Sequence, residues 1–314
     1  MTDFEEPTEL RRKIAKKIKE TGYPLQMQVG RYFDGLGWNT EYCHYYLDLE
    51  TGEYRELDVV ARKVIKGILV HLLIECKHSA SNHWVFFVPT LKRPAWRFPH
   101  MIKHLPIVGA DGTRIVVNHL KVLPSLSRSK PFSLYMTIFG RAGGGKKRNG
   151  EASGEKYQLK GEAEFRSALL GAVKCTAYEI ARWRDAKDRH LFLPIIVFDS
   201  GLFVVCGEDD TDPVIEDYVV YHHYQPFDVG STTPGGIDPE FLREMRMMYM
   251  RQGASFIVEI LKFTALQNWL EDLLNALDDF DQADLAGWGQ PSKSVSEMLS
   301  GLWRTMDRGK PSQA

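Results

Sequence analysis

Two acids and a lysine stand at places where packing alone gives little reason for charge. Asp58 lies within RELDVVA, Arg55 to Ala61, and Glu75 and Lys77 close the apolar run LIECK, Leu73 to Lys77. Hard divalent cations prefer oxygen ligands and keep several waters, so Asp58, Glu75 and the backbone carbonyl of Cys76 suffice to hold Mg2+, with Mn2+ as a substitute. An ion held there draws charge from a phosphate oxygen and lowers the pKa of a bound water, while Lys77 beside it can orient that water or offset charge growing on phosphorus. The chemistry these residue types fit is phosphate-ester hydrolysis. The competing reading is a structural ion pair at a strand end.

Three strands must bring these groups together. Tyr42 to Leu49 is rich in aromatic and branched residues, Glu50-Thr51-Gly52-Glu53 can turn, and Arg55 to Arg62 returns as a second strand. After a turn at Lys63 to Gly67, Ile68 to Lys77 is apolar enough for a strand buried on both faces. Period-two alternation places Glu56 and Asp58 on one face with Leu57 and Val59 on the other, and sets Glu75 and Lys77 together. Two helices lead in. Glu9 to Glu20 is amphipathic through Leu10, Ile14 and Ile18, and a second helix carries Leu25, Val29, Phe33 and Leu36 from Pro24 to the closing Gly37.

Beyond these, six prolines break up residues 79–160, with Phe132 to Phe139 strand-like and Arg141 to Lys156 loop-like in its Gly, Ser and Lys content. Order returns in a helix from Glu162 to Asp185, striped by Phe165, Leu169, Val173, Ala177 and Ile180. Strands at Leu191 to Phe198, Leu202 to Cys206, Val214 to Tyr224 and Ser255 to Phe263 follow, then a helix from Leu266 to Leu277.

With 314 residues, 44% of them hydrophobic, the chain can bury a substantial core, which excludes global disorder. Neither long apolar run reaches bilayer length, and the acidic start lacks a secretory pattern, so a cytoplasmic protein with no membrane partner is expected. Cys43, Cys76, Cys175 and Cys206 form no C-x-x-C pair and read as reduced core thiols. The net charge of -1 hides an uneven distribution: residues 91–160 hold fourteen basic residues against three acidic ones, a local excess of +11. Lys146, Lys147 and Arg148 within it are candidate contacts to nucleic-acid phosphates, although a solvated loop fits the charge equally well.

RELDVVA, LIECK and the lead-in YPLQMQVGRYFDGLGW (Tyr23 to Trp38) resemble the PD-(D/E)XK nuclease superfamily, whose motif sets an acid on one strand and D/E-x-K on the next. The resemblance covers about the first 80 residues well and Glu162 to Cys206 less specifically. It implies an α/β fold with a restriction-endonuclease-like core, a central mixed β-sheet flanked by helices, a basic insertion and a C-terminal α+β extension. The organisation that follows is 1–90 as the first half of the core, 91–160 as insertion, 161–225 as the second half, 226–290 as extension and 291–314 as a flexible tail. It also implies a Mg2+-dependent deoxyribonuclease, with an endonuclease favoured, in which Asp58, Glu75 and Lys77 are catalytic; cutting both strands would call for a homodimer. Relatives often carry a glutamate near the start of the lead-in helix, where this chain has Gln26, and Glu56 is a second supporting candidate. A catalytically silent nucleic-acid-binding or scaffold module of the same fold is the alternative.

Weaker signals are set aside. Asp185-Ala186-Lys187 repeats the triplet at the polar end of a helix, and His78 and His83 lie just past the motif. Trp84 and Phe86 alternate as a core strand would, and Gly143 to Lys147 lacks the spacing of a phosphate loop.

Overall fold

A computed structural model describes residues 7–19, 21–48, 51–79, 81–88, 100–103, 117–118, 132–133, 135–141, 157–160, 162–183, 189–206, 212–225 and 254–278. Helices α1 (Pro7–Lys19) and α2 (Tyr23–Gly35) lead into the strands β1 (Asn39–Leu47), β2 (Tyr54–Ile65) and β3 (Ile68–His78). Gly37, at φ +71°, supplies the left-handed residue that lets the chain leave α2 and enter β1. Then come β4 (Asn82–Val88), β5 (His100–Lys103), β6 (Val117–Asn118), β7 (Phe132–Ser133), β8 (Tyr135–Arg141) and β9 (Tyr157–Lys160). Helix α3 (Ala163–Arg182) precedes β10 (Arg189–Asp199), β11 (Leu202–Cys206), β12 (Val214–Glu216), β13 (Tyr218–Gln225) and β14 (Ala254–Leu261). A short 3-10 turn, Phe263–Ala265, opens into α4 (Leu266–Asp278).

The strands form two mixed sheets. The larger has nine strands in the order β1-β2-β3-β10-β14-β13-β7, with β5 and β6 branching from β10. The smaller runs β12-β11-β4-β8-β9. β1, β2 and β3 form the antiparallel meander that the turn signals predict, and β3 and β14 run parallel to β10 on either side. β3 and β10 read as unbroken apolar runs because both of their faces are covered.

Alternation sorts the core into two. Val70, Leu72, Ile74 and Cys76 of β3, with Leu191, Leu193, Ile195 and Val197 of β10, pack against α2 and α4. Leu73 of β3, with Phe192, Ile196 and Phe198 of β10, packs on the other side against α3 and the inner face of the smaller sheet. Trp84 and Phe86 belong to that second core and are fully buried, as their spacing predicts. The architecture is therefore α/β, with two mixed sheets flanked by helices. The strand expected in a C-terminal extension lies inside the large sheet, since β14 separates β10 from β13. β8 and β9, from the segment read as an insertion, pair into the smaller sheet beside β4.

Two cysteines correct the expectation of four core thiols. Cys76 and Cys175 are buried, but Cys43 and Cys206 are exposed. Among the described residues no helix is long and apolar enough to cross a membrane.

Candidate functional site

The site is built on a local reversal of strand alternation. Tyr42 pairs with Val59 and His44 with Leu57, yet the residues between them, Cys43 and Asp58, leave the ladder. Cys43 has φ +52°, a left-handed conformation uncommon outside glycine. On one side of this kink Tyr42 and Val59 face α2; on the other Leu57 enters the α3 core and His44 reaches Glu179 of α3. Uniform alternation would have kept Leu57 and Val59 on one face, so that expectation is corrected: the chain rolls over at Asp58. Pairing of β2 with β3 also ends here, at Val59 opposite Ile74. Asp58 takes the place of the next rung, its Oδ2 accepting the Cys76 N–H at 2.7 Å.

β3 runs on past that point and carries Glu75 and Lys77 onto the α3 side. Lys77 Nζ stands 2.7 Å from Glu75 Oε1. Helix α3 passes close enough that a Cβ on Gly171 would lie 3.3 Å from Glu75 Oε2 and 3.4 Å from its Cδ. The carboxyl is 8% exposed. Burial and then the charge of Asp58 push it up to about 7, more than Lys77 can reverse. Asp58 is itself raised by burial, against the pull of the Cys76 N–H and Lys77. For Lys77, burial favours the neutral amine, but Glu75 and Asp58 outweigh it and hold the ammonium above its ordinary range. Asp58, Glu75 and Lys77 thus form one electrostatically coupled group, deficient in positive charge.

The supporting candidates take different roles. Gln26 is buried on α2, and its Nε2 donates to the Asp58 backbone carbonyl at 2.8 Å and towards Cys43 Sγ at 3.4 Å. Its amide therefore ties down the kink on which Asp58 sits. Glu56 is exposed and hydrogen-bonds Cys43 and Tyr45, acting on Asp58 and Glu75 only through its charge. The Cys76 thiol points into the α2 core, while its carbonyl leaves the strand on the same edge as its N–H, 3.8 Å from where a Cβ on Gly22 would stand. Lys146, Lys147 and Arg148, like Asp185 and Lys187, lie outside the described residues. His78 meets Asp199 at 3.0 Å and His83 meets Ser200 at 3.1 Å, both at the ends of parallel strands beside the site.

Sequence reasoning missed the network that fixes α3 over the site. Glu179, wholly buried, contacts His44 at 3.0 Å, Arg62 at 3.0 Å and the Trp183 indole N–H at 3.0 Å. Burial alone would raise this carboxyl, but His44 and Arg62 hold it at about 2. Arg62 also donates to His71 Nδ1 at 3.3 Å, and His71 Nε2 meets His190 Nδ1 at 2.9 Å. Burial, with His190 and Arg62 nearby, pulls His71 down to about 3, so it is a neutral acceptor. Farther along the helix Lys174 meets Asp48 at 2.8 Å, and Arg55 shares the same carboxylate oxygen at 2.7 Å. A histidine inside an apolar strand and a glutamate in a helix stripe were the available signals.

The donor set accommodates a hard cation in one respect and is lean in another. Two carboxylates converge in a low-dielectric corner where a lysine leaves their charge only partly balanced, which is what an oxygen-binding ion relieves. Among the described residues no group of three or more His, Cys, Asp or Glu side chains is gathered as a metal cage would be. Mg2+ retains waters and is commonly held by one or two carboxylates, so the pair with the Cys76 carbonyl is a sufficient set for it. No protein-family model, no characterised protein and no solved structure matches the chain.

Proposed function

We propose that the chain is a divalent-metal-dependent nuclease that hydrolyses phosphodiester bonds of DNA, acting as an endonuclease. The observation that carries the reading is the meeting of Asp58, Glu75 and Lys77 at a point where β2 stops pairing, with Glu75 pushed up to about 7 by burial and by Asp58. Asp58, Glu75 and the Cys76 carbonyl would hold Mg2+ or Mn2+. When bound, such an ion supplies a more acidic water and withdraws charge from the scissile phosphate. The two carboxylates orient that water's protons, and the Lys77 ammonium, already within reach of Glu75, offsets charge that develops on the phosphate oxygens. Gln26 holds the Asp58 backbone still while this happens.

Plasmid and linear DNA incubated with Mg2+ or with EDTA test the reading. Cleavage that needs the ion and falls about 100-fold or more in Lys77→Ala supports it. Lack of cleavage in both Mg2+ and Mn2+ by folded protein refutes it. One observation favours a second reading, a silent nucleic-acid-binding or scaffold module: the residue at the lead-in helix is a neutral amide whose nitrogen is committed to Asp58 and Cys43. DNA binding without cleavage identifies that module.

A further inference from the structure

Helix α1 projects from the molecule: every residue from 8 to 19 is exposed. Leu10, Ile14 and Ile18, at 47%, 49% and 45% exposure, repeat every four residues and so form one stripe, about 12 Å long. Helical spacing sets Lys13 and Lys17 along one side of that stripe and Arg11 along the other. The helix carries six basic residues against one acidic, a charge of +5. A lone helix of 13 residues is marginal in water, so an apolar stripe of this kind gains stability from being covered.

The complementary surface occurs on the same chain. β12 is the edge strand of the smaller sheet, paired only with β11, and its Val214 and Ile215 are 54% and 64% exposed. Asp212, Glu216 and Asp217 flank these two apolar residues, and Glu208, Asp209 and Asp210 precede them in the sequence. Asp212 to Asp217 spans up to about 20 Å when extended, enough to run along the α1 stripe. α1 and β12 do not meet within one molecule, because the residues of α1 are exposed.

We propose that α1 of one copy docks on the β12 edge of a second copy, and that the reciprocal contact closes a two-fold dimer. Apolar residues meet apolar residues, and a basic helix meets an acidic edge. Pairing of α1 with α1 would bring two charges of +5 together, which disfavours that alternative. The proposal stands apart from the metal site and is indifferent to whether the chain cuts DNA.

Sedimentation of the full chain at low and high salt tests it, with circular dichroism to confirm folding of each variant. The wild type is expected to dimerise, with affinity falling as salt rises. Ile14→Glu weakens the dimer about tenfold or more. Lys13→Glu/Lys17→Glu reverses the helix charge and Asp212→Lys/Glu216→Lys reverses the edge charge; each protein alone is monomeric. Mixed, they form a heterodimer, because both reciprocal contacts then pair opposite signs. A monomeric wild type, a charge-reversed protein that still dimerises alone, or a mixture that fails to associate overturns the proposal. So does a monomeric wild type that binds anionic vesicles or duplex DNA through Ile14.

Discussion

Replacing Glu75 by glutamine nearly preserves the side chain's shape and removes its charge. The carboxyl has an ordinary value of 4.5 and is pushed up to about 7 in the folded chain. A carboxyl raised on folding binds more protons folded than unfolded between those values. Its contribution to stability is therefore complete below pH 4.5 and is lost as pH rises through about 7. At about 1.4 kcal/mol for each pH unit, the span amounts to about 3 kcal/mol by about pH 8. That is a large share of the roughly 5–15 kcal/mol that holds a domain folded. Urea unfolding of the wild type and Glu75→Gln, without divalent ions, at about pH 5 and about pH 8 reads the difference. The gap between the two proteins should move by about 3 kcal/mol in favour of the variant at the higher pH. Comparing the two proteins cancels the titration of His71 and Glu179. Added Mg2+ should then stabilise the wild type alone, by about 2.7 kcal/mol at a hundredfold excess over its dissociation constant. A gap that is the same at both pH values would refute the reasoning. It would mean that Lys77, 2.7 Å away, balances the carboxylate fully and that no deficit of positive charge exists.

Two further outcomes follow from the α3 side. Gly171→Ala should raise helix stability by up to about 1 kcal/mol through propensity, yet press on Glu75 at 3.3 Å and weaken Mg2+ binding about tenfold; calorimetric titration with Mg2+ that matches the wild type sinks the idea that α3 sets the carboxylate's place. Folding favours the neutral form of His71, so its contribution is present above pH 6.5 and lost as pH falls towards about 3. Histidine-selective NMR should accordingly show its ring unprotonated at about pH 5, and a midpoint near that of a free histidine contradicts the buried network.

The three-strand meander and its charged end were legible because charge at the close of an apolar run conflicts with packing, and such a conflict survives in a single sequence. The kink was not. Cys43 carries no sign that its backbone turns left-handed, and the alternation of Glu56, Leu57, Asp58 and Val59 reads as regular. Glu179, Arg62, His44 and His71 come from one helix and three strands, so their partnership depends on tertiary pairing that local patterns do not encode. Ser255 to Phe263 was readable as a strand, but its position between β10 and β13 was not, since parallel neighbours are chosen by long-range contacts. The exposure of Cys43 and Cys206 was hidden for the same reason: a thiol's composition is apolar wherever it sits.

The place of β14 has a kinetic consequence. β13 is synthesised before β14 but meets β10 only through it, so the middle of the large sheet stays open until residue 261 has left the ribosome. Closing it joins segments far apart in the chain, the kind of contact that slows folding. Until then the free edge of β10 offers unpaired N–H and C=O groups to any strand nearby. Nascent chains arrested before residue 254 should for that reason be handled as aggregation-prone intermediates rather than as autonomous domains.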